Sequence, residues 1–194
     1  MSQRVRDVLL DSSAYFRFAQ SIHPLLKELF GESPPYSLNV LAELDDEYNT
    51  SQRLQHKFEW VLQKEYREDR NAKRYKLNSK DSGEAVRAFG YLVSYTDSNS
   101  LNLSREDLLS LAVGLVKGIP VVTDDGGMRR VAETHNVDCW NSVKLLKVML
   151  TSKRIDKDKV LELLEYWEYE NDLPMPKDRL RKEYKEYFGE NCPI

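Results

Sequence analysis

Cysteine, histidine and long apolar runs are scarce in this sequence of 194 residues. Its two cysteines, Cys139 and Cys192, stand far apart and form no CxxC arrangement, and its three histidines show no metal-ligand spacing. A disulfide framework and a zinc site are therefore not indicated, and a reducing compartment fits best. No apolar stretch reaches the roughly 18 residues of a membrane span, and no signal-peptide core is present, so we expect a cytoplasmic protein outside the membrane.

A large excess of charge of one sign is also missing. The net charge is -3, the isoelectric point is near 5.7, and 31% of the residues are charged. This balance predicts no general nucleic-acid-binding surface, so any contact with RNA or DNA has to come from a local basic patch. With 41% hydrophobic residues, the chain can form one core and a small additional unit.

Carboxylates stand directly after two stretches that have the pattern of buried strands. Asp11 follows the apolar residues 8–10 and precedes two serines, while Asp124 and Asp125 follow the run 119–123 and precede two glycines. Short apolar runs next to turn residues are typical of buried strands. Because the carboxyl ends of parallel strands meet at one edge of a sheet, we expect these carboxylates at the same edge.

Two further acids stand on predicted helices. Glu43 lies beside the apolar stripe of a helix that follows a short strand at 36–38. Asp107 lies in the first turn of a strongly apolar helix that begins near Ser104. Because both helices belong to the same alternation of strands and helices, we expect all four acids around one site.

The order of the elements predicts an α/β domain followed by helices. Strands alternate with helices up to residue 140, with one helix at 51–66 and two helices at 13–30 that Pro24 separates. Residues 141–188 have the pattern of three helices and contain no further strand. The alternation indicates a parallel sheet covered by helices.

Four segments resemble, in order, the four motifs of PIN-domain nucleases: residues 9–13 (LLDSS), 40–44 (VLAEL), 105–112 (REDLLSLA) and 121–125 (VVTDD). The resemblance covers about residues 5–140. It implies a PIN-like three-layer α/β/α fold with a central parallel sheet, formed by a nuclease domain at 1–140. Residues 141–194 would then be a helical C-terminal extension packed on or beside that domain.

The resemblance also implies a catalytic site around Mg²⁺ or Mn²⁺, formed by Asp11, Glu43, Asp107 and Asp125. Asp11 and Asp107 would be the principal metal ligands. Asp125 would bind a second metal or act through water, and Glu43 would be a ligand or a general base. Hard divalent cations take oxygen ligands, which fits a set of acids without His or Cys.

Polar neighbours of these acids would support the site. Ser12 and Thr123 would position a carboxylate or a water by hydrogen bonds. Asp124 and Asp125 are adjacent, and both are candidates for the fourth acid. Asp125 is preferred because the family's acid stands two positions after the threonine.

Each acid also has a structural alternative. Asp11 and Asp125 could be the N-caps of the helices that follow them, and Asp107 could form a capping box with Ser104. Glu43 could be an ordinary exposed helical glutamate. Independent caps have no reason to fall at the ends of strands that line one edge, which favours the metal site.

A basic stretch and two arginines supply the predicted contacts with nucleic acid. Residues 67–80 lose the apolar spacing, and their cations could follow a phosphate backbone while a tyrosine stacks on a base; the alternative is a solvated loop. Two arginines just after the fourth acid could hold a phosphate or face solvent. The residues assigned to this role are Arg70, Lys73, Arg74, Tyr75, Lys76, Arg129 and Arg130.

These features predict a metal-dependent endoribonuclease that hydrolyses RNA with a metal-activated water. By the resemblance, small members act as toxins that an antitoxin protein holds inactive, so we expect an antitoxin partner, and the extension could form a homodimer. Two alternatives stay open. One is a structure-specific DNA nuclease, and the other is a non-catalytic RNA-binding or scaffold protein that keeps the PIN fold.

Overall fold

A parallel sheet lies at the centre of the computed structural model, which describes residues 4–194. Residues 1–3, which the sequence places ahead of the first strand, lie outside the described part. Within it the strands pair in the order β2-β1-β3-β4, and every pair is parallel. The strands are β1 (Arg6–Leu10), β2 (Tyr36–Asn39), β3 (Val121–Val122) and β4 (Cys139–Trp140).

Helices cover both faces of this sheet. They are α1 (Ser12–Ala19), α2 (Glu43–Thr50), α3 (Gln52–Lys57), α4 (Lys64–Ala72), α5 (Ser79–Ser98), α6 (Arg105–Lys117), α7 (Gly126–Thr134), α8 (Ser142–Thr151), α9 (Lys157–Tyr169) and α10 (Lys177–Phe188), with a 3₁₀ turn at Glu59–Leu62. The α/β class, the parallel sheet and the three C-terminal helices predicted from the sequence are confirmed. None of the helices within residues 4–194 has both the length and the apolarity needed to cross a membrane.

Alternating side chains of the central strand divide the core into two parts. Val8 and Leu10 enter one hydrophobic cluster with α1, α8, α9 and α10. Leu9 points to the other cluster, which α5, α6 and α7 complete. Successive residues of a strand face opposite sides of a sheet, so a strand covered on both sides is a continuous apolar run. The second cluster also contains Val121 of β3, while Val122 belongs to the first.

Two predicted helices differ from the structure. The helix at 51–66 is wrong as a single element, because Phe58 has non-helical angles and its carbonyl accepts from the Val61 N–H and the Tyr48 hydroxyl. The second helix at 13–30 does not form. There the buried Asp69 carboxylate accepts the backbone N–H groups of 25–27, which a helix would direct to carbonyls.

The segment at 67–80 is not the solvated loop that its composition suggested. α4 continues to Ala72, and the next residues run beside β2 as an isolated parallel bridge between Val40 and Arg74. The Val40 N–H donates to the Lys73 carbonyl (3.2 Å), and the Tyr75 N–H donates to the Val40 carbonyl (2.8 Å). The basic segment therefore extends the edge of the sheet.

The C-terminal helices share the first hydrophobic cluster with the sheet. Trp167 of α9 is buried, stacks edge-on against Phe18 of α1, and donates its indole N–H to the Arg17 carbonyl at 3.1 Å. Leu180 and Tyr184 of α10 belong to the same cluster. One continuous core thus joins these helices to β1 and α1.

Candidate functional site

Asp11 stands where β1 ends and α1 begins. Its N–H donates to the Val122 carbonyl (3.0 Å), which continues the β1–β3 pairing, and its Oδ1 accepts the Ala14 N–H at 2.6 Å. The residue is only 8% exposed. Burial raises the pKa of Asp11 to about 7, although hydrogen bonds from Thr123 and Ala14 and the charge of Arg17 oppose the shift. Asp11 is thus a carboxylate that the fold keeps largely out of water.

The structure distinguishes the two adjacent aspartates after β3. Asp124 is buried and fully used: its Oδ2 pairs with Arg17 at 2.6 Å and accepts the Ser142 hydroxyl, and its Oδ1 accepts the Ser142 N–H at 2.9 Å. Asp125 is exposed, and its Oδ1 caps α7 by accepting the Met128 N–H at 2.8 Å. Asp125 is therefore the one whose second oxygen remains open to solvent or a ligand.

Asp107 forms the capping box that its sequence context allows. The Ser104 N–H donates to Asp107 Oδ2 (2.9 Å), and the Asp107 N–H donates to Ser104 Oγ (3.0 Å). Burial raises the pKa of Asp107, and the nearby charge of Asp125 raises it further, while the Ser104 hydrogen bonds lower it. Asp107 and Asp125 are thus electrostatic neighbours.

Glu47 is, like Glu43, a candidate glutamate for this site, and it lies near Ser12 and Asp107. Both stand on α2, one helical turn apart. Burial raises the pKa of Glu47, the Ser12 hydroxyl lowers it by a hydrogen bond, and the charge of Asp107 raises it. Glu47 is not predicted from the sequence, although its spacing of four residues from Glu43 places both on one face of the helix.

Capping does not prevent the aspartates from acting as ligands. The caps use Oδ1 of Asp11, Oδ2 of Asp107 and Oδ1 of Asp125, so each cap occupies one carboxylate oxygen. An ionised carboxylate has two oxygens and about four acceptor positions. The structural alternative predicted for each aspartate is therefore present, and it is compatible with a second role.

Oxygen donors of this kind fit Mg²⁺ or Mn²⁺ chemically. Within residues 4–194, no three His, Cys, Asp or Glu side chains come close enough to hold one metal ion together. Mg²⁺ keeps several waters and is commonly bound through one or two carboxylates together with substrate phosphates. The acids therefore fit a hydrated magnesium ion better than a cage built from protein ligands alone.

The basic stretch is largely engaged within the protein. Arg70 is buried and donates to Asp45, the Tyr15 hydroxyl (3.1 Å) and the Val61 carbonyl (3.0 Å), which corrects its assignment to nucleic-acid binding. Among the other members, Lys73 donates to Ser37, Arg74 pairs with Asp45, Tyr75 packs against the second hydrophobic cluster and Lys76 is exposed.

The two arginines after Asp125 differ in their surroundings. Arg129 pairs with Glu183 of α10 at 3.3 Å, and the Asn141 amide donates to the same carboxylate. Arg130 is exposed. An acid of the C-terminal helices thus neutralises the partly buried arginine of the pair.

No family model and no curated protein matches this chain. Among solved structures, it is similar to FitAcB from Neisseria gonorrhoeae, with 13% identity and a TM-score of 0.45, over 70% of this chain and 97% of the other. It is also similar to VapBC2 from Rickettsia felis bound to a DNA fragment from their promoter, with 12% identity and a TM-score of 0.42, over 70% and 98% of the two chains. Both similarities concern the course of the chain and not an activity.

Proposed function

We propose that the protein is a metal-dependent nuclease that hydrolyses RNA at the carboxyl edge of its sheet. The observation that supports this most directly is the group of Asp11, Glu47 and Asp107, in which burial raises the pKa of every carboxyl. A helix cap needs no burial, yet the Asp11 carboxylate is almost completely buried. Buried acids with raised pKa values are a feature of sites that bind metal ions or move protons.

Each residue has a specific role in this proposal. Asp11 and Asp107 would hold the metal ion directly, and Asp125 would reach it through water. A bound Mg²⁺ or Mn²⁺ would supply positive charge that lowers the pKa of a water and stabilises the leaving oxygen. Glu47, which lies near the Ser12 hydroxyl, would accept the proton of the attacking water.

Partners and substrate class belong to the same proposal. The toxin role and the antitoxin partner rest on the resemblance of the four segments to PIN-domain nucleases, as does the choice of RNA over DNA. One observation favours the non-catalytic alternative: within the described chain, three acids do not come together closely enough for one ion. A scaffold that kept the fold but lost metal affinity would have this arrangement.

A cleavage assay tests the proposal. End-labelled single-stranded RNA and matched DNA are incubated with the protein in Mn²⁺, in Mg²⁺ and in EDTA, with Asp11→Asn as the inactive variant. Asp178→Asn, which changes a fully exposed acid on α10, is the matched control. We expect cleavage of RNA that requires metal and Asp11 but not Asp178.

The other outcomes decide between the alternatives. Metal-dependent cleavage of DNA alone would replace the RNA assignment by a DNA nuclease. Binding of RNA without cleavage, together with no change in melting temperature on adding Mn²⁺, would establish the scaffold alternative. A rise in melting temperature with Mn²⁺ that is lost in Asp11→Asn would place the ion at this site.

A further inference from the structure

A polar cavity lies beside the first turn of α1. Its volume is about 140 Å³, and its lining includes Ser13, Arg53, Lys57 and Asp172. This is room for several waters, or for one phosphate group. The cavity carries more positive than negative charge, because Arg17 also lines it.

The cavity adjoins the candidate active site. Ser13 stands two residues after Asp11 in the turn that Asp11 caps. Arg53 belongs to α3, and its charge lowers the pKa of Glu47. Arg53 therefore lines the cavity and is near enough to Glu47 for the two charges to interact.

One carboxylate already occupies the positive side of this cavity. Asp172, from the segment between α9 and α10, places Oδ1 at 2.7 Å from Lys57 Nζ and Oδ2 at 3.7 Å from Arg17 Nε. The Arg17 Nε also donates to the Asp172 carbonyl at 3.0 Å. A bound phosphate would direct two of its oxygens at two cations in the same way.

The cations of the cavity differ in how freely they could exchange this carboxylate for a phosphate. Arg17 is held by the buried pair with Asp124. Lys57 is partly exposed and pairs with Asp172. Arg53 is exposed and, over the part of the chain that the structure describes, forms no ion pair. Arg53 and Lys57 thus remain for a ligand, with Asp172 paired to Lys57 and the charge of Glu47 acting on Arg53.

We propose that Arg53 and Lys57 form a phosphate subsite for the strand that enters the acidic site, and that the Asp172 carboxylate occupies it in the free protein. This inference rests on the proposed nuclease function. A guanidinium binds two phosphate oxygens with parallel hydrogen bonds, and an ammonium adds a compact charge. Like charges repel, so an incoming phosphate has to displace the Asp172 carboxylate.

Binding measurements with single-stranded RNA test the subsite. All variants are made in the Asp11→Asn background, which prevents cleavage, and the dissociation constant is measured at several salt concentrations. We expect Asp172→Asn to bind about threefold to tenfold more tightly. Arg53→Gln and Lys57→Gln should each bind about tenfold more weakly, and each should reduce the salt dependence by about 0.7 in the slope of log K against log salt.

Matched controls change the same charges elsewhere. Asp178→Asn removes an exposed acid of α10, and Lys157→Gln removes an exposed cation at the other end of α9. Neither should change the dissociation constant by more than about twofold. In the Lys57→Gln background, Asp172→Asn should lose most of its effect, because its competing contact is then missing.

The inference is overturned if Asp172→Asn binds RNA no more tightly than the parent, with a lowered melting temperature; Asp172 would then only fasten the C-terminal segment. The cleavage assay separates this from the proposed function. Cleavage by the protein with Asp11 intact, together with unchanged affinity in the Asp172 and Arg53 variants, would retain the nuclease and remove the subsite. Tighter binding by Asp172→Asn without any cleavage would retain the subsite on a non-catalytic protein, and no RNA binding by any variant would remove both.

Discussion

The Arg17 guanidinium lies 2.6 Å from the Asp124 carboxylate, and the two side chains are only 8% and 6% exposed. The pair fastens α1 to the segment after β3, and Ser142 at the start of α8 donates to the same carboxylate. Burial raises the pKa of Asp124, while the Arg17 charge and the Ser142 hydrogen bonds oppose the shift. The ion pair therefore joins three elements next to the candidate active site.

Removing Arg17 from this pair should destabilise the protein strongly. Arg17→Met leaves the Asp124 carboxylate buried without its partner, and such a loss costs about 3–5 kcal/mol in the free energy of unfolding. The control is Lys157→Gln, which breaks an exposed pair with Glu190 and should cost less than about 1 kcal/mol. Urea unfolding measures both. A similar small loss in the two variants would show that the buried pair contributes little.

The ends of the strands could be predicted from the sequence because short apolar runs there meet acids and turn residues. That pattern alone predicts Asp11 and Asp125 at the sheet edge, and the same residues predict the caps that the structure contains. Local sequence determines caps, since donor and acceptor are three residues apart. These features needed no knowledge of distant contacts.

Contacts between distant segments could not be predicted in this way. Glu43 and Glu47 share one face of α2, and only the packing of α2 against α1 and α6 decides which turn lies near Ser12. The sequence predicts Arg70 as a contact for nucleic acid, because its partner Asp45 lies 25 residues away and no local pattern reveals the pair. Asp172 approaches Lys57 across 115 residues, and no periodicity of the chain encodes that meeting.

Replacing Asp11 by asparagine should stabilise the metal-free protein. Asparagine keeps the oxygen that caps α1, but it removes the charge that burial disfavours. At pH 8 in EDTA we expect the free energy of unfolding to rise by roughly 1–3 kcal/mol. Asp178→Asn, at an exposed position, should change it by less than about 0.5 kcal/mol. A loss of stability in Asp11→Asn would mean that the carboxylate is well solvated or well paired.

Tyr15 should make the protein sensitive to alkaline pH. Burial raises its pKa from 10.0 to about 12. The folded state therefore holds the phenol proton more tightly than the unfolded state. This contribution is fully present below pH 10.0 and is lost as the pH rises towards about 12. Unfolding in urea should show a falling free energy over this interval.

Tyr15→Phe tests the assignment. It should make the alkaline loss of stability shallower, and at pH 8 it should cost about 1 kcal/mol because Arg70 loses its hydroxyl acceptor. Tyr169→Phe is the control, since Tyr169 is 82% exposed. An unchanged pH dependence in Tyr15→Phe would assign the alkaline transition to other groups.

Two helical glycines should respond to alanine in opposite directions. A Cβ at Gly114 of α6 would overlap the Val121 side chain of β3, whereas nothing lies within 4 Å of a Cβ at Gly90 of α5. Gly114→Ala should therefore lower the free energy of unfolding by about 1–3 kcal/mol. Gly90→Ala should raise it by about 1 kcal/mol, because alanine favours the helix. Thermal melts of both variants measure this, and equal signs would contradict the close approach of α6 to β3.

The two glutamates of α2 should differ in their effect on cleavage. Under the proposed function, Glu47→Gln removes the base that Ser12 orients, so kcat should fall by about 10²–10⁴ with little change in KM. Glu43→Gln, one turn away on the same helix, should reduce kcat by less than about tenfold, because Glu47 is the glutamate near Ser12 and Asp107. Ser12→Ala should fall between them, since it leaves the carboxylate of Glu47 in place but without its hydrogen bond. The reverse order, with Glu43→Gln the more damaging variant, would mean that the first turn of α2 faces the substrate. Glu47 would then lie beside the reacting groups without taking part in the reaction.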